Sequence, residues 1–309
     1  MRSLIIGTIP LICLGLPLVA IVLPYELMTE SWMRTSLLVL SPLIFILGFI
    51  TTSGLVSRLG LAVIKNSRTE RSLKNWTYFR RRLHAGPWTL LYYFKPIYHL
   101  VLSVAPLRWL CFRLFGYKGQ LDFVVYPDTW FRDIPVMDIH KGAYLSNNAS
   151  VAPNICLMDG TILVDGIKVG EKSVVGHGTL IGPGTKMGEN SEIATKCTSG
   201  IRVRIGNNVK IRECSVIQHG VVIGDGARIE TVCFLGLRSK IGPDVNITEG
   251  SHIHAGTRIR TQEEADKYYA EETGAMTRKR ELLAEQMEEA LRSTRSSINV
   301  TTLETEKGS

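Results

Sequence analysis

The chain has 309 residues, of which 45% are hydrophobic, and its formal net charge is +8. Apolar and charged residues are unevenly distributed, and the basic residues cluster next to the most apolar segments. No nucleic-acid-binding motif accompanies this charge, so attraction to anionic lipid head groups explains it better than nucleic-acid binding does.

Two uncharged segments lie near the N-terminus, at residues 3–23 and 36–56. Each is long enough to cross a bilayer, which takes about 20 apolar residues. Only Arg2 precedes the first segment, and no clean small-x-small cleavage site precedes Tyr25, so a membrane helix fits better than a cleaved signal peptide. We predict two transmembrane helices within residues 1–64.

The distribution of basic residues predicts how these helices are oriented. The connecting loop, residues 24–35, holds two acids, Glu26 and Glu30, and one arginine, whereas residues 58–82 hold eight basic residues and one acid. By the positive-inside rule the loop lies outside and both termini are cytoplasmic. The prediction is a multi-pass protein of the inner or plasma membrane.

The linker, residues 65–118, contains an aromatic and apolar stretch at 87–117. Lys95 and Arg108 leave only twelve residues between them, which is too short for a span. An interfacial or re-entrant helix whose cations reach the head groups is expected instead.

A hexapeptide repeat follows the linker. From Ile139 to Ile259 an aliphatic residue occupies every sixth position in twenty of twenty-one places without an insertion, and Ser199 is the exception. Glycine often follows the aliphatic residue, and a small residue commonly stands four places after it. Repeats of this kind indicate a parallel β-helix, here about seven coils of three hexads within residues 119–260.

The C-terminal part changes composition again. Residues 261–294 are rich in helix formers with apolar residues at helical spacing, which predicts a helix over the last coil or a neighbouring subunit. Residues 295–309 are predicted to be disordered.

The repeat resembles the left-handed β-helix of hexapeptide-repeat acyltransferases. Parallel crossovers are normally right-handed, so the left-handed assignment comes from this resemblance alone. In the homotrimers of the resembling enzymes, sites form where one subunit meets the next, with a histidine as general base. The resemblance implies acyl-CoA, with acetyl-CoA the expected donor, as co-substrate.

Two histidines of the repeat are the candidate catalytic residues, His219 first and His177 second. Each stands two places after a column residue, where side chains point outward, and counting hexads places them on successive faces. Either one taken alone is more often a solvated or corner-packed histidine than a catalytic one.

A basic column surrounds His219. Arg202 and Arg238 stand one coil to either side of it, and further cations share a neighbouring column: Lys186, Arg204, Lys240 and Arg258. Neighbouring cations favour a neutral histidine, as a base must be, and could hold the phosphates of coenzyme A. A merely solvated basic face is an equally weighted alternative.

Two other chemistries are disfavoured. The γ-type carbonic anhydrases share the prism, but two coils after His219 the chain has Ala255, and the further ligand position holds Arg260, so no metal is expected. A nucleotidyltransferase is disfavoured because no GxxxxGK[ST] motif is present.

A finer resemblance is carried by the run from Ala105 to Tyr117 and by Asp138-Ile-His-Lys-Gly-Ala-Tyr-Leu. These segments are similar to the entry into the hexapeptide-repeat modules of membrane-bound, polylysine-synthetase-like nonribosomal peptide synthetases. The similarity covers residues 87–260. Neither an adenylation nor a carrier domain is recognisable beside it.

Two functions follow as hypotheses. The first is a membrane-anchored homotrimeric acyltransferase that moves an acyl group from acyl-CoA to a hydroxyl or amine of a lipid-linked or cell-surface polymeric acceptor. The second is a non-catalytic trimeric β-helix scaffold at the membrane that presents its faces to partner proteins. Membrane lipids are expected partners in both, and nucleic acid in neither.

Overall fold

The computed structural model describes residues 1–269 and, beyond them, only residues 271, 274, 278, 286 and 288. The chain divides into two units, residues 1–260 and residues 261–309. The second unit begins with a helical segment at 262–269. The rest of the C-terminal helix predicted for 261–294, apart from these five residues, and the tail predicted for 295–309 lie outside the described residues.

Two N-terminal helices, α1 (Arg2–Leu27) and α2 (Ser31–Arg58), are long and apolar enough to cross a membrane. They form an antiparallel pair joined by three residues, 28–30. A short 3₁₀ turn, Leu61–Val63, and strand β1 (Ser67–Glu70) follow.

The stretch predicted as one interfacial or re-entrant helix contains several helices. They are α3 (Trp76–Tyr93), α4 (Lys95–Ser103) and α5 (Ala105–Leu114). Pro96 and Pro106 stand in the first turns of α4 and α5, where a missing N–H costs nothing, and they divide the stretch. The axes of α4 and α5 differ by 108°, the geometry of a broken span or a re-entrant loop.

These helices cover the first coil of the β-structure. Trp88 Nε1 donates a hydrogen bond to the Phe131 carbonyl oxygen at 2.8 Å, and the Tyr98 hydroxyl donates to the Thr129 carbonyl oxygen at 2.6 Å. The Tyr117 hydroxyl donates to the Ile139 carbonyl oxygen at 3.1 Å. A solenoid needs a cover at its ends because the first coil has no preceding neighbour, and here aromatic side chains provide that cover.

The predicted parallel β-solenoid is confirmed. It has three parallel sheets of seven short strands each, and every strand except the two at the ends of each sheet pairs with strands of the coils before and after it. We name the sheets face 1, face 2 and face 3 in the order in which the chain visits them.

Face 1 consists of β2 (Val124–Val125), β5 (Tyr144–Leu145), β10 (Val174–Val175), β13 (Glu192–Ile193), β16 (Lys210–Ile211), β19 (Arg228–Ile229) and β22 (Asn246–Ile247). Face 2 consists of β3 (Trp130–Phe131), β6 (Ser150–Val151), β11 (Leu180–Ile181), β14 (Thr198–Ser199), β17 (Val216–Ile217), β20 (Phe234–Leu235) and β23 (His252–Ile253). Face 3 consists of β4 (Met137–Ile139), β9 (Ile167–Val169), β12 (Lys186–Met187), β15 (Arg204–Ile205), β18 (Val222–Ile223), β21 (Lys240–Ile241) and β24 (Arg258–Ile259).

The second residue of nearly every two-residue strand points inward and is buried, so the aliphatic columns form the core. Ser199, the one polar residue in the columns, is also buried. Its Oγ accepts a hydrogen bond from Gly182 N at 3.2 Å and lies 3.3 Å from Thr185 Oγ1. These contacts satisfy the hydroxyl, as a buried polar group requires.

The prediction of an uninterrupted repeat is wrong at one place. Residues 154–164 form an antiparallel hairpin of β7 (Asn154–Cys156) and β8 (Thr161–Val164), and β8 pairs with β1, about ninety residues earlier in the chain. The strand pairs that span the hairpin are therefore 30 residues apart, as in Ile139 with Val169, whereas partners after the hairpin are 18 residues apart. The excess of twelve residues equals two hexads, so the aliphatic residues on both sides of the hairpin keep the same six-residue phase. Counting hexads in the sequence therefore does not reveal the hairpin.

The column residues Leu157 and Leu163 are consequently only half-buried and lie outside the core, whereas Val125 and Phe131 belong to it. The first coil thus begins earlier than the regular hexads indicate.

The placement of the hairpin outside the core can be tested by introducing aspartate at two positions with the same phase of the repeat. Ile223→Asp should strongly destabilise the solenoid, because it buries an unpaired charge between Ile205 and Ile241. Leu157→Asp, at the same phase of the repeat, should melt nearly like the wild type, since it lies in the hairpin turn. Thermal unfolding of both variants measures the contrast, and equal destabilisation would contradict the hairpin.

Candidate active site

The two candidate histidines lie on different corners of the prism. His177 lies between faces 1 and 2, and His219 lies between faces 2 and 3. Both side chains are exposed, as predicted for this position of the repeat. Within one chain the structure therefore does not bring them to one site.

His219 has a defined hydrogen bond. Its Nδ1 accepts from the Ile201 backbone N–H, one coil below, at 2.9 Å. The same role is taken at the next corner by Asn207 Oδ1, which accepts from Glu189 N, and by Asp225 Oδ1, which accepts from Asn207 N. His219 is thus one member of a series of corner caps. Because Nδ1 accepts, the neutral imidazole carries its proton on Nε2.

An apolar groove of about 260 Å³ lies beside His219. It runs along the corner between faces 2 and 3, and the hairpin forms one wall of it. Its lining comprises Ala152, Asn154, Ile155, Leu180, Gly182, Pro183, Thr198, Ser199, Gly200, Ile201 and His219. A groove that is mostly apolar with one polar ring at its edge suits a hydrocarbon chain attached to a polar reacting group.

The basic column predicted from the sequence lies on face 3. Its outward residues are Lys168, Lys186, Arg204, Val222, Lys240 and Arg258, and they are paired in register along the sheet. Neighbouring strands lie about 4.8 Å apart, so these cations form a positive stripe that is interrupted only at Val222. Among the described residues, none of the five lysines and arginines in this column has an ion-pair partner.

Arg202 and Arg238 stand at the corner next to His219, both in left-handed backbone conformation. Arg202 Nε donates to Asp165 Oδ2 at 2.6 Å, so the residue is tied to the base of the hairpin. The side-chain stem of Arg238 lies over Gly220, where an added Cβ would approach it to 3.3 Å. Arg204, Lys240 and Arg258, on face 3, are therefore better placed than Arg202 to take an anionic ligand.

Sequence reasoning missed the hairpin wall of the groove. Asn154 and Ile155 contribute to the lining, but they sit where regular coil was expected. A signal was present: Asp159–Gly160 is a turn dipeptide typical of hairpins, and Gly160 has a positive φ of 77°.

The outward residues of face 2 differ from those of face 3. Between the first and last strands they are Ser150, Leu180, Thr198, Val216 and Phe234, none of them charged. Such a surface is more easily buried against another protein than the basic stripe is. Across the described residues, no group of three His, Cys, Asp or Glu side chains is arranged to hold a metal ion.

Comparisons with known proteins find only distant structural similarity. No protein-family model matches the chain, and no curated protein matches it in sequence. A hexapeptide transferase family protein from Anaplasma phagocytophilum is 17% identical with a TM-score of 0.28, over 45% of this chain and 92% of that one.

Two further similar structures are acyltransferases. The UDP-N-acetylglucosamine acyltransferase of Francisella novicida is 13% identical over 45% of this chain and 59% of that one, with a TM-score of 0.32. An N-acyltransferase from Bacillus cereus, in complex with dTDP and 3-hydroxybutyryl-CoA, is 12% identical over 53% of this chain and 94% of that one, with a TM-score of 0.23.

The cap made by His219 predicts a difference between two substitutions. His219→Ala leaves the Ile201 N–H without its protein partner and should lower the free energy of unfolding by about 1 kcal/mol. His219→Asn should cost less, because asparagine makes the same cap at residue 207. Chemical denaturation of the two variants measures this, and an identical loss in both would contradict the cap.

Proposed function

We propose that the protein is a membrane-anchored acyltransferase that transfers an acyl group from acyl-CoA to a hydroxyl or amine. The observation that carries this is the apolar groove beside His219, next to a face with a dense row of cations. The groove would hold the acyl chain, and the thioester would lie at the imidazole. Acetyl-CoA is the donor implied by the family resemblance, although the groove has room for a longer chain.

In the proposed reaction the acceptor oxygen or nitrogen attacks the thioester carbonyl carbon. His219 takes the proton from the attacking group and returns it to the sulfur as the carbon–sulfur bond breaks, so that coenzyme A leaves as a thiol. Backbone N–H groups at the corner would stabilise the negative oxygen of the tetrahedral intermediate. The acyl group goes directly to the acceptor, with no covalent intermediate on the protein.

The hydrogen bond between His219 Nδ1 and the Ile201 N–H works against a general-base role for His219, but its energy is small. A base must present an unprotonated nitrogen, and the Ile201 N–H favours the ring with its proton on Nε2. The ring would have to turn and give up one hydrogen bond, which costs about 1 kcal/mol. General-base catalysis contributes about 10²- to 10⁴-fold, or roughly 3–5 kcal/mol of transition-state stabilisation. The catalytic gain is therefore larger than the cost of breaking the cap.

The phosphates of coenzyme A would lie on face 3. Arg204, Lys240 and Arg258 hold three of its free cations in register with one another, and Arg238 stands at the adjoining corner. Guanidinium and ammonium groups at this spacing can each meet a different phosphate oxygen.

We further propose that the solenoid is left-handed and that three copies assemble through the uncharged face 2, as the resemblance to hexapeptide-repeat enzymes implies. In such a trimer His177, at the corner of faces 1 and 2, would lie near an interface and would be the second candidate base.

A scaffold is the second candidate function, and the cap of His219 favours it. Because Asn207 and Asp225 make the same contact at other corners, a structural role alone accounts for a histidine at this position. The groove would then hold a partner's apolar side chain.

Replacing His219 by asparagine separates these functions. His219→Asn keeps the cap and removes the imidazole, so it should lower the transfer of radiolabelled acetyl groups from acetyl-CoA into the lipid and polymer fractions of membranes by about 10²- to 10⁴-fold. His177→Asn is the matched control and should retain activity.

Loss in the His177 variant alone would move the site to the other corner. Full activity in both variants would contradict a histidine base. No transfer by the wild type, with the fold intact, would favour the scaffold.

We also propose that both termini and the solenoid are cytoplasmic, with the loop between α1 and α2 outside, because basic residues follow α2. A Thr29→Cys variant should react with a membrane-impermeant maleimide in intact cells. Cys214, which is exposed on the solenoid, should react only after the membrane is permeabilised. Labelling with the opposite pattern would invert the proposed topology.

A further inference from the structure

A second cavity lies away from His219, between α3, the first coil and the hairpin. It has a volume of about 220 Å³ and is lined by four arginines: Arg71, Arg81, Arg82 and Arg132. Tyr78 and Asn154 add neutral polar groups, and no acidic side chain takes part in the lining. We call it the arginine cavity.

Arg81 is the fixed member of this group. The residue is only 8% exposed, and its Nη2 pairs with the buried carboxylate of Asp133. Asn154 donates to the same carboxylate oxygen at 2.5 Å. The second terminal nitrogen, Arg81 Nη1, is buried and has no hydrogen-bond partner. A buried charged donor without an acceptor is costly, so a group that supplies one would be bound favourably.

The charge around the cavity also favours binding of an anion. Four guanidinium groups face one carboxylate, Asp133, which lies behind Arg81 and is already used by two donors. Burial lowers the pKa of Arg81, and repulsion from Arg132 acts in the same direction against the attraction of Asp133. The lining itself, with four arginines and no acidic side chain, carries an excess of positive charge.

Size and geometry select the kind of anion. A cavity of about 220 Å³ has room for several waters, which is more than one carboxylate fills. Several planar guanidinium forks around one space match the tetrahedral oxygens of phosphate. We infer that the arginine cavity binds a phosphate or diphosphate ester group. This inference is independent of the proposed acyl transfer.

The position of the cavity allows the phosphate to come from a lipid or from solution. Arg2, at the start of α1, lies over the rings of Trp76 and Phe79 in the first turn of α3. Its Cζ is 5.3 Å from the Trp76 ring centroid and 5.6 Å from the Phe79 ring centroid. Helix α3, which supplies Arg81 and Arg82, thus begins at the end of a candidate membrane span. A head group at that level could reach the cavity, and so could a soluble phosphate ester.

A native cysteine reports directly on occupancy. Cys156 lines the cavity with its Sγ 3.9 Å from Arg71 Nη1, and Cys214 is an exposed cysteine elsewhere on the solenoid. The full chain in phosphatidylcholine nanodiscs is treated with N-ethylmaleimide at increasing concentrations of inorganic pyrophosphate. Mass spectrometry measures the rate at which each cysteine is alkylated. Pyrophosphate should slow alkylation of Cys156 by about tenfold at saturation and leave Cys214 unchanged. Equal rates with and without pyrophosphate at Cys156 would overturn the inference.

Two variants test the arginines without breaking the Arg81–Asp133 pair. Arg82→Gln and Arg132→Gln should each raise the pyrophosphate concentration needed for protection by about tenfold or more, as expected for one charged hydrogen bond. Arg228→Gln, on face 1, removes the same charge at a distance and should have no effect. An equal change in all three would mean that net charge alone attracts the anion, and would overturn the site.

Nanodisc composition then identifies the source of the phosphate. If the ligand is a lipid head group, nanodiscs containing phosphatidic acid should protect Cys156 without pyrophosphate, and Arg82→Gln should abolish this protection. If the ligand is soluble, phosphatidic acid should have no effect and pyrophosphate should protect in both kinds of nanodisc. Protection by neither would contradict the proposal.

Discussion

The backbone register of the parallel ladder is the constraint on which the rest of the structure depends. Corner amides bond to carbonyl oxygens of the next coil, as in Gly206 N to Ile223 O and Gly224 N to Ile241 O, both at 2.9 Å. Since partners recur every 18 residues, any side chain repeats its direction at that interval. The buried columns, the corner caps and the row of cations on face 3 all follow from this one spacing.

The register also explains where the chain can depart from the pattern. The chain leaves face 2 at β6 and next enters face 3 at β9, so the hairpin between these strands replaces one corner turn and leaves the ladder intact. It leaves from the same corner that carries His219. The Arg202–Asp165 ion pair links the base of the hairpin to that corner. A largely exposed arginine in such a pair contributes little stability, but the pair uses the Arg202 Nε donor.

Much of the fold could be predicted because period and burial are local properties. The aliphatic columns, Ser199 as their exception and the in-register cations at Lys186, Arg204, Lys240 and Arg258 all follow from counting. The hairpin could not be found by counting because Leu157 and Leu163 keep the six-residue phase. Leu163 is held outside the core by pairing with β1, a contact between residues far apart in sequence, and Leu157 lies in the hairpin turn.

The candidate site was predictable only in part for the same reason. The outward positions of His219 and His177 follow from the repeat. The cap on His219 Nδ1 needs the backbone N–H of Ile201 one coil below, and the arginine cavity needs helix α3 to meet the first coil. Asp133, which fixes Arg81, stands in left-handed backbone with a φ of 46°, and nothing in its neighbouring residues indicates this role.

Strand β7 separates the two sites. Successive residues of a strand point to opposite sides. Ile155 accordingly faces the apolar groove, while Cys156 faces the arginine cavity. Asn154 lines both. A substrate with a phosphate in the cavity would therefore have its neighbouring groups close to the groove in which the acyl chain is proposed to lie.

The most direct test of the proposed function is an experimental structure of the full chain with a bound acyl-CoA. The account predicts the acyl chain in the groove against Ile155, the thioester next to His219 and the phosphates on the cations of face 3. Coenzyme A bound at the corner of His177, or away from both corners, would contradict it.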